Sequence, residues 1–370
     1  MAPVVEGADV LVCCGSGGVG KTTTAAVIGL EAARRGRRVV VVTIDPAKRL
    51  ADALGVPGGL TGEPQRVPLD EWGDGDDADG TRGTGELWAM MLDTPAMFER
   101  VVRANAPDPE QADRIVENRF YRNIAGALSG TQEYMASEAL HELHADERFD
   151  LVVVDTPPSR NALDFLEAPG VLTRFLDHKV FKLMMLPTRT GLKVLSTASQ
   201  PILRAIGRVV GSDVLADAVA FFQAFAGMDA GFRDRAEAVT ALLHDEATRF
   251  VLVTSPQHDA VVEASWFAGQ LVEQGFEVTA VVVNRIHPRF GDGTVADART
   301  RADRATDRPE LAALWANLAE LRTVADAERG ALGPLVARIG DTGRVVEVPL
   351  LAGDVHDLDG LDQLGRHLFP

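Results

Sequence analysis

Apolar positions along the chain fall into short unbroken runs separated by helical stretches. Residues 9–14 (DVLVCC), 39–44 (VVVVTI), 149–155 (FDLVVVD), 249–254 (RFVLVT), 278–284 (VTAVVVN) and 345–350 (VVEVPL) each read as a strand, and 86–92 (ELWAMML) is strand-like. Runs that are apolar throughout, rather than alternating, are the pattern of parallel strands covered on both faces. Helical spacing follows the first run over 21–35, with Gly36 placed as a C-terminal cap. It returns over 258–274, 310–327 and 356–368. Residues 95–148 and 169–248 read as helices without strands, and 61–85, rich in Gly and Asp, as an exposed loop. Strands alternating with helices predict an α/β fold with a mostly parallel central sheet and right-handed crossovers. The expected division is an α/β domain from 1–94 and 249–370, with strand 149–155 in its sheet. A large helical subdomain from 95–148 and 160–248 is inserted in it.

Composition adds limits. The chain has 370 residues, 46% hydrophobic and 25% charged, which is ordinary for a globular protein and excludes a mostly disordered one. Its net charge is 37 − 54 = −17. Such acidity argues against general binding to nucleic acid or anionic lipid. Cys13 and Cys14 are adjacent in a strand, point to opposite faces and form neither a disulfide framework nor a zinc motif. No apolar run reaches the roughly 18–20 residues needed to span a bilayer, and the start of the chain lacks a signal-peptide pattern. A reducing, cytoplasmic setting is expected.

The turn after the first strand is Gly15-Ser16-Gly17-Gly18-Val19-Gly20-Lys21-Thr22-Thr23. It satisfies the phosphate-loop pattern GxxxxGK[ST] and also the dinucleotide pattern GxGxxG, the latter with Asp45 as its acid after the second strand. Both need the same strand, turn and helix, so chemistry has to separate them. In a phosphate loop the glycines let backbone N–H groups converge on oxygens, Lys21 reaches the phosphates and Thr22 offers a hydroxyl to Mg²⁺. In a dinucleotide site Lys21 and Thr22 have no task, and Lys21 adds a cation to the positive end of a helix. The phosphate loop is the better reading; an NAD-binding oxidoreductase is the remote alternative.

Asp45 and Asp155 each follow an apolar strand, at the carboxyl ends where a parallel sheet opens its ligand crevice. Either one alone equally fits a turn or helix-cap residue. Taken with the GKTT segment they make a coherent Mg²⁺-nucleotide site. Pro46, Pro157 and Pro158 stop the strands and shape the loops after them.

In this order, GSGGVGKTT, TIDPAKRLADAL, VVVDTPPSRNALDFL, VVVNRI and VVEVPLLAGDV resemble the ArsA/Get3 family. These are the anion-pump and tail-anchored-protein-targeting ATPases with a deviant Walker A motif. The resemblance covers both α/β ends well and the helical middle in outline. It implies the P-loop NTPase fold, ATP and Mg²⁺ as ligands, and a dimer that moves with nucleotide state. Residues Gly15 to Thr23 would form the phosphate loop, with Lys21 catalytic and Thr22 on the metal. Asp45 would orient the attacking water, and Asp155 would hold the Mg²⁺ shell, partly through water. Asn284 would read the adenine edge, an alternative to a plain turn-forming Asn, and Pro349, Leu350 and Leu351 would cover the base. The partner implied is a second copy or a related ATPase subunit, with a hydrophobic client or a membrane protein beyond it and peripheral membrane association through that partner.

The chain departs from that pattern. Ser16 stands where the family's signature lysine reaches the neighbouring subunit's nucleotide. The expectation is slow hydrolysis alone, or a paralogue that supplies the lysine, and a second reading is a client-binding module whose nucleotide serves assembly. The family's zinc-binding CxxC and the arsenite-binding cysteines are absent, and there is one phosphate loop rather than two. The helical middle carries Phe175, Leu176, Val180, Phe181, Leu183, Met184, Met185, Leu186, Phe221, Phe222, Phe225 and Met228, which fit either a client groove or an ordinary helix-packing core.

Overall fold

The computed structural model describes residues 1–45, 49–68, 85–119, 130–178, 212–225, 227–340, 343–353, 355 and 357–370. A short helix α1 (Ala2–Glu6) precedes β1 (Val10–Gly15), α2 (Lys21–Arg34), β2 (Arg38–Thr43), α3 (Arg49–Ala53), β3 (Gln65–Val67) and β4 (Glu86–Met91). Then come α4 (Thr94–Asn105), α5 (Pro109–Val116), α6 (Thr131–Ala145), β5 (Leu151–Asp155), α7 (Ser159–Asp177), α8 (Ser212–Ala224) and α9 (Asp229–Leu243). The last part holds β6 (Thr248–Thr254), α10 (His258–Glu273), β7 (Val278–Ile286), α11 (Val295–Arg304), α12 (Pro309–Ala331), α13 (Gly333–Ile339), β8 (Arg344–Pro349) and α14 (Leu358–Leu368). The chain divides into two compact units: Met1–Met91 with Glu147–Arg160 and Glu246–Pro370, and Leu92–Asp146 with Asn161–Asp245.

The first unit is built on an 8-stranded sheet in the order β3-β4-β2-β5-β1-β6-β7-β8. Its pairs are parallel except for β3 with β4. Every residue of β1 and β5 is buried, as the unbroken apolar runs require of strands covered on both faces. Cys13 and Thr43 both stand beside Asp155 in the register of their strands, so the carboxyl ends of β1, β2 and β5 meet at one acid. Helix α2 lies along the sheet and buries Ile28 and Leu30 among Leu11, Val39, Val41 and Val153.

The strand runs read from the sequence all form strands, shifted by a residue or two at their ends. The expectation of loop over 61–85 is corrected at Gln65–Val67, which forms β3 antiparallel to β4; residues 69–84 lie outside the described residues. Three residues are too few to show a period, so hydrogen bonding to an existing edge makes this strand rather than pattern. Helices α1, α3, α11 and α13 were also unanticipated. The first and last are short, and α11 (VADARTRADR) buries only Ala298 and owes its start to a Thr294–Asp297 capping box.

In the second unit Asp93 and Asp108 cap α4 and α5 by accepting from Ala96 N and Gln111 N. Glu138, fully buried on α6, accepts from the Tyr134 hydroxyl and from Arg235 Nε of α9 at 2.6 Å, which satisfies the carboxylate and ties the two helices together. Phe221, Phe225, Phe232 and Phe98 form a chain of ring contacts, with Phe221 and Phe225 4.9 Å apart between centroids. Phe221, Leu176 and Met228 are buried as core and Phe175 is 47% exposed. Val180, Phe181, Leu183, Met184, Met185 and Leu186 lie outside the described residues.

Gly29 of α2 faces the sheet, and a Cβ there would stand 2.4 Å from Val41 Cγ2 and 3.2 Å from Leu87 Cδ1. Alanine raises helix propensity by about 1 kcal/mol over glycine. Overpacking a sheet-facing contact costs about 1–3 kcal/mol. The second effect wins, so Gly29→Ala is expected to lower the urea midpoint at unchanged slope.

Candidate functional site

β1 ends on Gly15 because the neighbouring strand leaves no room for more. A Cβ on Gly15 would lie 2.0 Å from the Val253 carbonyl oxygen of β6. The loop that follows turns into α2 at Gly20, whose φ is 99° and whose added Cβ would lie 2.4 Å from Asn284 Nδ2. Only glycine meets both demands. Among the described residues no side chain caps α2. The N–H groups of a helix's first turn have no partner inside the helix. Here they sit at the mouth of a cavity of about 420 Å³ bounded by Gly17, Gly18, Gly20, Lys21, Thr22 and Thr23.

Lys21 is buried and its ammonium donates to the Ser16 carbonyl at 2.7 Å, folding the side chain back across its own loop. Burial lowers its pKa, and the charges of Asp155 and Asp45 oppose that shift. An ammonium in this position, with one neutral acceptor, suits an anion in the loop.

Asp155 is fully buried at the end of β5. Its Oδ2 accepts from Thr22 Oγ1 at 2.8 Å and from Thr43 Oγ1 at 2.9 Å. Its Oδ1 is buried with no hydrogen-bond partner among the described residues. Burial pushes the carboxyl up to about 6, while the two hydroxyls and Lys21 pull the other way. An unpartnered, buried carboxylate oxygen beside a threonine hydroxyl is a donor set for a hard divalent cation, so these residues fit Mg²⁺. Asp45 follows β2, its backbone N–H donating to Thr43 Oγ1 at 3.3 Å, and Arg49 Nη1 stands 4.0 Å from Asp45 Oδ2.

Asn284 is buried near the end of β7 and its Nδ2 donates to the Val19 carbonyl at 2.8 Å, so one amide proton already holds the phosphate loop. Leu350 N donates to the Ile286 carbonyl at 2.9 Å, bringing the segment after β8 beside the end of β7.

The structure thus brings Gly17, Gly18, Gly20, Lys21, Thr22, Thr23, Asp45, Asn284, Pro349, Leu350 and Leu351 around one cavity within the first unit. Gly15, Ser16, Val19 and Asp155 are not among its lining: Ser16, Val19 and Asp155 are buried. Pro46 lies outside the described residues. Cys13 and Cys14 are free and buried in β1, where burial pushes the Cys14 thiol up to about 12. Thr43, Arg49, Thr156 and Arg285 also belong to the site or its support and were missed. Thr43 had a signal, a hydroxyl closing an apolar strand two residues before Asp45. Arg285 had only its place after Asn284.

Compared with known proteins, the chain matches the family described as Anion-transporting ATPase over residues 8–303. It is 30% identical to Protein Rv2184c of Mycobacterium tuberculosis, across 92% of this chain and 70% of that protein. It is 25% identical to the ATPase GET3 of Malassezia globosa, across 74% of this chain and 71% of the other. It is 26% identical to the arsenical pump-driving ATPase of Acidiphilium multivorum, across 84% of this chain and 44% of that one. Among the described residues no helix is long and apolar enough to cross a membrane.

An acid whose pKa rises on folding binds its proton more tightly in the folded chain. Ionising Asp155 therefore costs stability. The cost is absent below about pH 4, grows as the pH rises to about 6 and is constant above, since burial moves the group from 3.8 to about 6. A rise of that size corresponds to about 3 kcal/mol. Asp155→Asn removes the charge and keeps an acceptor for both threonines. In urea titrations from pH 5 to 8 without added divalent cation, the variant is expected to gain on the wild type up to pH 6 and hold that gain above it.

Proposed function

The chain belongs to the Anion-transporting ATPase family, and from that premise we propose that it binds and hydrolyses ATP with Mg²⁺ in the cavity around Lys21. The observation that carries the reading is Asp155, a carboxylate withdrawn from water with one oxygen on two threonine hydroxyls and the other left unpartnered. The backbone N–H groups from Gly17 to Thr23 hold the phosphates and Lys21 moves its ammonium from the Ser16 carbonyl to them. Thr22 and Asp155 would hold the metal, partly through water. Bound Mg²⁺ supplies charge neutralisation at the phosphate oxygens. Asp45 accepts a hydrogen bond from the attacking water and orients it; a loose phosphoryl-transfer transition state needs positioning more than a strong base. Asn284 keeps one amide proton on Val19 and offers its remaining groups to adenine, with Pro349 and Leu350 against the base.

Ser16 presents no cation to a neighbouring subunit. The proposal therefore includes slow turnover by this chain alone, in the cytoplasm, and faster turnover in a dimer whose other subunit brings a lysine. The helical unit is the part that binds a hydrophobic client or membrane protein. One residue, Ser16, also favours a reading in which the nucleotide serves assembly more than turnover.

Calorimetry with millimolar Mg²⁺–ATP and a phosphate-release assay test this together. Lys21→Ala is expected to abolish binding. Asp45→Asn is expected to bind ATP within about twofold of wild type while turnover falls by roughly 10²-fold or more. No heat from the wild type sinks the nucleotide site; wild-type turnover by Asp45→Asn sinks the role of Asp45.

A further inference from the structure

Arg285 departs from its surroundings in backbone and in charge. Its φ is 62°, and among the described residues only Phe290 is another non-glycine at positive φ. Side chains other than glycine rarely adopt this conformation, and it persists where the neighbours enforce it. They do so here. Asn284 is held by the Val19 carbonyl at 2.8 Å, and the Ile286 carbonyl accepts from Leu350 N at 2.9 Å. His287 donates its backbone N–H to Glu328 of α12 at 2.8 Å, and its ring Nδ1 lies 2.7 Å from the same carboxylate. The pairing of β7 with β8 shifts register between Val283 and Ile286. Arg285 therefore leaves the ladder and lines the cavity.

The nearby guanidinium groups are committed. Arg289 pairs with Asp326, Arg329 with Glu347, and Arg322 donates to the carbonyls of Arg289, Phe290 and Thr294. Among the described residues Arg285 has no carboxylate within ion-pair distance and one polar partner, the Gly18 carbonyl at 3.5 Å, the limit of a hydrogen bond. A cation held in a rare backbone conformation, over the phosphate loop and with no counter-charge among the described residues, is arranged for an anion that arrives. The loop itself bears Ser16 where the signature lysine of the deviant motif would stand, so its own charge is one lower than that motif provides.

We propose that Arg285 is a phosphate-binding residue of this site, its guanidinium closing over the loop at Gly18 onto the β and γ phosphates of the nucleotide. The inference rests on the ATP reading above and adds to it a cation supplied in cis. Arg285 is better placed for this than Arg49, which has Asp45 at 4.0 Å.

The test is calorimetric titration of the full chain, as wild type, Arg285→Ala, Arg285→Lys and Arg285→Gly, with ATP, ADP and AMP in the presence of Mg²⁺. Thermal melts without nucleotide accompany it. Arg285→Ala and Arg285→Gly are expected to weaken ATP and ADP about tenfold and AMP less than twofold, as loss of one charge-assisted contact to the outer phosphates would. Arg285→Lys is expected to recover most of that affinity. Glycine adopts the required φ freely, so Arg285→Gly is expected to melt above the wild type while binding ATP worse, a pairing that a folding defect cannot produce. ATP affinity unchanged in Arg285→Ala overturns the inference. So does an equal loss for AMP and ATP, which would put the guanidinium on the base or ribose. Absence of ATP binding by the wild type overturns the parent reading and this inference with it.

Discussion

Asp155 has no exposed surface, yet it is an acid at the meeting point of three strands. Burying an ionised carboxylate is costly unless its lone pairs are satisfied. Here satisfaction is partial. Thr22 arrives from the start of α2 and Thr43 from the end of β2, and both bind the same oxygen. The two threonines consequently tie the helix and a neighbouring strand to β5, and the second oxygen stays bare. A structural carboxylate would be expected to satisfy both. A carboxylate that carries its burial cost with one oxygen open fits the proposed role of holding a cation.

The geometry of the phosphate loop follows from packing as much as from its own sequence. Gly15 is there because the Val253 carbonyl occupies the space of a side chain, and Gly20 because Asn284 does. Asn284 in turn spends one amide proton on the Val19 carbonyl. The loop is therefore pressed between β6 and the end of β7 before any ligand arrives. Preorganised N–H groups lose little freedom on binding, and the affinity of such a cradle comes largely from that saving.

Much of this was legible in the chain itself. The fully apolar runs announce strands with both faces covered, and GSGGVGKTT followed by Asp45 and Asp155 points to the cavity proposed for the nucleotide, at the carboxyl ends of those strands. What stayed hidden has physical causes. The strand Gln65–Val67 is made by pairing to an edge, and three residues carry no period. Helix α11 owes its start to its Thr294–Asp297 box and buries one alanine, so no apolar stripe betrays it. Thr43 is decided by register: it becomes a partner of Asp155 only because β2 and β5 align those two positions. Arg285 depends on backbone conformation, and a left-handed residue that is not glycine, asparagine or aspartate leaves no mark in composition or spacing.

The segment after β7 joins these threads. Asn284 holds the loop at Val19, Arg285 reaches Gly18, Ile286 receives Leu350, and His287 is fastened to Glu328. Arg329 of α12 donates to the His287 carbonyl and pairs with Glu347 of β8, so the helix is fastened to the strand as well. Contacts at consecutive residues to the phosphate loop on one side and to α12 on the other leave the backbone at residue 285 few ways to relax. That is the condition under which a strained φ survives. It also makes the strain informative. Glycine at residue 285 would keep this backbone conformation without its strain, at a gain in stability. The arginine that stands there instead brings a positive charge to the phosphate loop, which is what the proposed contact with the outer phosphates uses.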